Sequence, residues 1–381
     1  FGFRQGIDEE VAETALVDGR RVATSLGDDA ALVRLLVNYG AYCYMRSAPV
    51  EAIATFDDAL EIAERLGDLE LRFVARFGLS NAQFWAGRLR EGLATNEEAL
   101  EMGRDNPRIG TSSFGFGLPW SYGFRGWILL DLGRLEEARK ALEKSLALIL
   151  AAEEKEPIAW ATFGLAWVHA AAGEGDAALE RARSAIEVAE RLGSSISRVG
   201  AHCALGLAHL SLRCYAEAID ELEHTLALSA ETGAGRMTEW RVLPALAEAL
   251  TRAGELERAV ATGERAVRRG RETGMRVLEA DGLIALARAR LAADPRCDLA
   301  AIESLIADAK ELIARTGARR LEPLLHLARA ELATSAGDGS TAERELHEAK
   351  RAFIEIGAPL RAAEVDVPTP NAEPRGEGTR P

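Results

Sequence analysis

The chain has 381 residues, with 60 acidic against 46 basic side chains and a formal net charge of −14. That balance excludes a nucleic-acid reader built on a basic stripe. No apolar run is long enough to span a bilayer and no signal-peptide pattern is present, so no membrane partner is expected.

Four scattered cysteines, Cys43, Cys203, Cys214 and Cys297, suit buried thiols in a reducing compartment, and a cytoplasmic location is expected. The opening FGFRQGIDEE has no methionine and falls inside a helix hairpin, which points to a piece of a longer protein. Taken in chain order, amphipathic segments then recur, each with small or apolar residues at helical spacing and charges on the other face. They end at or near Gly27, Gly67, Gly103, Gly193, Gly233, Gly274, Gly317 and Gly357. A glycine there fits a left-handed C-cap that turns the chain into the next helix. The steps from Gly27 to Gly67 and from Gly193 to Gly233 set a period of about 40 residues, the mark of a helical repeat.

Between these caps lie more apolar first helices. Each carries a small residue at one register: Gly40, Ser80, Gly126, Ala166, Gly206 and Ala247. The paired second helices carry Ala52, Gly92, Ala138, Ala178, Ala218 and Ala259. Small residues at both places let two antiparallel backbones cross closely. The stretch Gly126 to Leu148 shows the whole unit, with a tight turn at Gly133. Two regions break the period: 106–127, rich in Gly and aromatics, and 292–299, an insertion inside the seventh pair. After Val365 the polar, Pro-rich tail (365–381) is expected to be disordered.

These registers carry a family likeness. Leu205, Gly206, His209, Ala218 and Leu222, and likewise Tyr39, Gly40, Ala52, Phe56 and Ala59, stand where tetratricopeptide repeats place their signature residues, so residues 6 to 360 resemble that family. The proline usual at the repeat end is mostly missing and the helices run longer than in 34-residue repeats. The resemblance implies an all-α, right-handed superhelix of about eight to nine helix hairpins over residues 1–364. The ERLGD and ETGA repeat ends, the last helix RAFIEIGAPLRAAEV and the stretch from Asp105 to Ala138 are similar to C-terminal regions of large bacterial signalling proteins. There, an adenylate/guanylate cyclase or other output domain and a signalling ATPase precede the repeats. That likeness implies a regulatory role, with any enzyme outside these residues.

Chemistry is hard to find. No GxxxxGK[ST], HExxH or CxxC pattern occurs. His202, Cys203, His209 and Cys214 could ligate a metal, but their spacing is loose and packing accounts for His209. The acidic pairs read as solvated faces. Arg265, Arg268, Arg269, Arg271 and Arg276 form either a solvated helix end or a grip for an acidic partner. No catalytic residue, cofactor or metal is expected.

The aromatics are more informative. Tyr44, Phe77, Phe84, Trp85, Trp120, Trp127, Trp160, Phe163 and Trp167 fall on the first-helix face that lines the concave surface in tetratricopeptide registers, whereas later repeats put Leu207, Glu248, Thr251 and Arg252 there. The rings either fill gaps between repeats or form a binding groove, with the segment from Asn106 to Trp120 as a lid or wall. The expected function is recognition of a protein or peptide in the concave groove, with contacts to missing N-terminal domains also open. A small-ligand sensor and a free-standing adaptor are the alternatives.

Overall fold

The computed structural model describes residues 9–106, 108–110, 117–152, 156–294 and 296–367. Most of the tail expected to be disordered (368–381) and much of the expected lid (107 and 111–116) lie outside them. Among the described residues eighteen α-helices follow one another, with no strand. They are α1 (Glu9–Leu26), α2 (Asp29–Met45), α3 (Pro49–Leu66), α4 (Leu69–Trp85), α5 (Leu89–Met102), α6 (Leu118–Asp131), α7 (Leu135–Ala151), α8 (Glu156–Ala172) and α9 (Gly175–Leu192). The second half continues with α10 (Ser195–Ser211), α11 (Tyr215–Thr232), α12 (Glu239–Ala253), α13 (Leu256–Thr273), α14 (Arg276–Ala293), α15 (Leu299–Thr316), α16 (Glu322–Ser335), α17 (Gly339–Ile356) and α18 (Pro359–Ala363). From α2 to α17 they form eight antiparallel pairs, the expected all-α superhelix. None is long and apolar enough to cross a membrane.

Local chemistry starts and stops these helices as the sequence suggests. Asp28, Asp68, Asp298 and Asp338 accept backbone N–H groups of the first turn, and Pro49, Pro119, Pro323 and Pro359 occupy first-turn positions. Left-handed glycines end α3, α9, α11, α13, α15 and α17. Gly103 differs: its φ is −87°, because the chain runs into a string of turns (Asn106 N–H to the Gly103 carbonyl, 3.1 Å) instead of doubling straight back. Inside the hairpins the small-residue register holds throughout. Ala52, Ala138, Ala178, Ala218 and Ala259 are fully buried, the Ser80 hydroxyl donates to the Gly92 carbonyl (2.8 Å), and a Cβ on Gly206 would sit 2.7 Å from Leu222.

The superhelix closes on itself. Arg90, at the start of α5, donates to the Ala314 carbonyl near the end of α15 (3.4 Å). The turn at Gly87 lies against Arg276 and Thr316, that at Gly133 against Arg319 and Ile356, and that at Gly173 against Leu360 and Arg361. Successive superhelical turns are therefore in contact, and nearly all buried apolar residues from Val33 to Val365 belong to one continuous core. Val365 is buried and Val367 packs against the same core.

Candidate functional site

Closure decides where the aromatic wall ends up. Phe84, Trp85, Trp127, Trp160, Phe163 and Trp167 come together in one cluster, with Trp127 stacked on Trp160 (5.6 Å, 18°) and 5.1 Å from Trp167. Trp240 of α12 joins it edge-on from the C-terminal half, 5.3 Å from Phe84. Phe77 meets Phe124 edge-on at 5.7 Å, and Tyr44 stands apart against Phe56 at 6.3 Å. Eight of the nine expected site aromatics are buried, and Trp120, half-buried, packs on Trp160 at 5.2 Å. A cleft of about 10 Å³ lies beside Trp120, Trp127 and Trp160.

Open space lies further along the axis, on the inner faces of α8, α10, α12, α14 and α16. A cavity of about 120 Å³ is lined by Trp167, Leu207, Arg241, Glu248, Asp281 and Arg320, among others, and α17 and α18 complete its wall with Phe353 and Arg361. A second, of about 510 Å³, adjoins it through the shared residues Glu248, Ala285 and Arg288, and continues past Thr251, Arg252 and Glu331. Leu207 and Glu248 line the smaller cavity, and Glu248, Thr251 and Arg252 the larger one. Of the nine aromatics, Trp167 lines the smaller cavity.

The wall carries charges that the sequence reading left out. Asp131, the last residue of α6, is fully buried. One of its oxygens, Oδ1, accepts from Arg320 Nε (2.9 Å) and Arg241 Nη2 (3.3 Å), and Arg320 also donates to Asp281 (3.0 Å). The Arg241 guanidinium lies 3.9 Å from the Trp240 ring centre and 5.0 Å from that of Trp167. Burial pushes Arg241 down to about 10, Asp131 opposing and Arg320 adding to the effect. Burial also raises the Asp281 carboxyl, against the pull of Arg320. Beside them Arg288 binds Glu331 through Nε and Nη2 (2.8 Å for Nη2 to Oε1) and reaches Glu248 at 3.7 Å. Burial works to raise Glu248, but Arg288 and its neighbours hold it below the usual range. The readable signal was a charge at the inward register of an otherwise apolar first helix, as Arg241 is in EWRVLPALAEAL and Arg288 in LIALARARL.

The other sequence candidates resolve more simply. His202 faces Glu221 (2.9 Å), Cys203 is fully buried with its thiol pushed up to about 12 by that burial, and no cluster of metal-binding side chains forms among the described residues. Arg265 and Arg269 pair with Glu239, and Arg271 and Arg276 with the buried Glu279, so four of these five arginines have acidic partners within the chain.

Residues 119–191 match the tetratricopeptide repeat family model. Among solved structures the chain is similar to a Rap protein complexed with competence and sporulation factor. The two share 14% identity at a TM-score of 0.64, covering 91% of this chain and 94% of that one. It is also similar to the Rap conjugation gene regulator of the plasmid pLS20 in complex with the Phr* peptide (13%, 0.61, covering 87% and 97%). The apo form of RapI aligns at 12% identity and a TM-score of 0.51, covering 74% and 98%. No curated protein matches the chain. At such identities what is shared is the fold, and that fold is the tetratricopeptide-type helical superhelix.

Proposed function

We propose that this chain is a non-catalytic scaffold that holds a peptide or a short protein segment along its axial cavities. The observation that carries this reading is the pair of adjoining cavities joined at Glu248, Ala285 and Arg288. Their wall alternates apolar patches (Leu207, Ile284, Leu324) with ion-paired groups such as Arg288 with Glu331 and Arg320 with Asp281. A wall built in advance loses little ordering entropy when a flexible segment lies on it. One of the similar Rap structures is complexed with competence and sporulation factor and another with the Phr* peptide, which supports the reading. On this view Trp167 touches the ligand, and the other eight aromatics (Tyr44, Phe77, Phe84, Trp85, Trp120, Trp127, Trp160, Phe163) give the groove its shape. The same proposal makes the chain the cytoplasmic regulatory part of a larger bacterial signalling protein of the cyclase or ATPase type, in contact with its N-terminal domains. The larger cavity, at about 510 Å³, is also of small-molecule size, so a small-ligand sensor is the second reading.

Selection of displayed random peptides on the full chain tests it, with Ala285→Trp as the control that fills the junction of both cavities. Enrichment that Ala285→Trp abolishes, with the thermal midpoint kept, supports the scaffold. Failure to enrich, or enrichment that Ala285→Trp leaves unchanged, overturns it. A saturable midpoint shift with small molecules alone moves the assignment to the sensor.

A further inference from the structure

We infer that the part of the smaller cavity at Trp167, Arg241 and Arg320 is a subsite for a carboxylate, and that Asp131 is the built-in carboxylate it displaces. The inference rests on reading the cavity as a ligand site and adds the chemistry of one ligand group.

Three residues on this wall carry buried polar atoms with no hydrogen-bond partner among the described residues. Two of them, the Trp167 indole N–H and Arg241 Nε, lie together, with the Arg241 guanidinium 5.0 Å from the Trp167 ring centre, and the third is the Ser211 hydroxyl at the far end of α10. Indole and guanidinium nitrogens only donate, so what is missing beside Trp167 and Arg241 is an acceptor. Buried donors are nearly always paired, because leaving one unpaired costs most of its hydration. Trp85, Trp127 and Trp240 also have unmatched N–H groups, but they do not line this cavity and are enclosed by other rings.

The present partner of Arg241 serves it poorly. Asp131 reaches it by one contact at 3.3 Å from Oδ1, an oxygen shared with Arg320, while its Oδ2 is buried and unmatched. A carboxylate meets a guanidinium best through two parallel bonds. An incoming carboxylate could take Arg241 Nε together with one Nη, with the Trp167 N–H beside it. The wall's own acids do not block this, because Asp281 is held by Arg320 (3.0 Å) and Glu248 is neutralised by Arg288 (3.7 Å). The depressed basicity of Arg241 fits a buried cation whose compensation is incomplete.

Displacing Asp131 has a further effect. Asp131 comes from α6, and Arg241 and Arg320 come from segments 110 and 189 residues later. A ligand that takes over Arg241 therefore loosens one tie between successive turns of the superhelix. Binding and closure become coupled through a shared group, the physical content of allostery.

Sodium propionate is the probe, with propionamide as its uncharged isostere, titrated into the full chain at constant ionic strength and followed by tryptophan fluorescence. Propionate is expected to change the signal saturably, with propionamide at least about tenfold weaker. Trp167→Phe, which keeps a ring but removes the donor, and Arg241→Gln should each weaken propionate several-fold. Asp131→Asn, which keeps the shape but removes the competing charge, should tighten it several-fold, a change that a merely structural role would not produce. Equal effects of acid and amide, or unchanged affinity in both Asp131→Asn and Trp167→Phe, overturn the subsite. The source of the carboxylate is read by hexa-alanine with a free C-terminus, its amide, and the amide of a version ending in glutamate. Tighter binding of the free peptide, or of the glutamate peptide, identifies a main-chain or a side-chain carboxylate. Propionate binding with all three peptides excluded keeps the subsite, assigns it to a small-molecule acid, and removes the peptide reading.

Discussion

Trp85 and Trp240 meet edge to face, ring centres 5.6 Å apart and planes at 90°, although one ends α4 and the other lies near the start of α12. The pair belongs to the contact that closes one superhelical turn on the next. In an open solenoid each repeat is stabilised by its neighbours alone. Here distant repeats are stabilised together. Trp240→Ala should remove a large buried ring at a cost of about 3–5 kcal/mol. It should also split one urea transition into two, read by circular dichroism together with fluorescence. A single transition with unchanged slope would mean that the ring contact does not couple the halves.

At the hairpin of α6 and α7, a Cβ on Gly126 would lie 2.5 Å from Leu142 Cγ and 3.1 Å from the Ala138 carbonyl. Both helices would have to separate to admit a side chain. Gly126→Leu should lower stability by at least the roughly 1–3 kcal/mol of ordinary overpacking. The loss should appear as a lower thermal midpoint and faster amide exchange in α6 to α8. An unchanged midpoint would contradict the close crossing.

The turns inside the hairpins pass through positive φ, and at two of them the residue is not glycine: Ser47 (68°) and Arg213 (60°). Ser47 is buried and its hydroxyl has no partner among the described residues. Ser47→Gly should therefore stabilise the protein by about 1 kcal/mol, from relieved strain and a removed polar group, less the entropy of a freer unfolded chain. Arg213→Gly relieves similar strain but loses the Glu364 ion pair, so its gain should be smaller. Denaturant midpoints of both variants check the order.

Acid should weaken the fold through three carboxylates held below their usual value of 4.5. The largest cause at Glu221 is the His202 hydrogen bond. At Glu174 and Glu345 burial works the other way, but Arg139 with His169, and His326 with Arg329, outweigh it. A depressed folded pKa gives stability that is complete above the unfolded value and disappears as pH falls through the folded one. The thermal midpoint should thus be level from about pH 7 to about pH 5 as far as these groups are concerned, and fall below about 4.5. Glu345→Gln should reduce the size of the fall, and a midpoint that rises on acidification would refute the assignment.

Much of the architecture was legible because each local signal has a local cause. Gly40 with Ala52 and Gly206 with Ala218 mark close crossings, and the glycines ending α3, α9 and α11 mark left-handed caps. Gly103 was misread because nothing nearby distinguishes a cap that doubles back from one that opens into a string of turns. The crowding of the aromatics onto the first helices was legible too. Their enclosure was not, because it depends on Trp240 and on contacts such as Arg90 to Ala314, which no window of 40 residues contains. Arg241, Arg320 and Asp131 escaped for the same reason: each looks like an isolated charge until the superhelix brings the three together.

The seat that Gly133 takes against Arg319 and Ile356 bears on how this chain can change in length. At that turn φ is 72°, and a Cβ would come within 2.7 Å of Ile356, so the position is fitted to one particular surface a full winding away. Repeat arrays ordinarily grow or shrink a unit at a time, as beads are added to a string. Here removing one unit between Gly133 and Arg319 would present the wrong neighbour to every turn below it, like a bolt with one thread cut out. The array behaves as a ring with a fixed number of staves, and its evolution should proceed by substitution within repeats, not by gain or loss of whole ones.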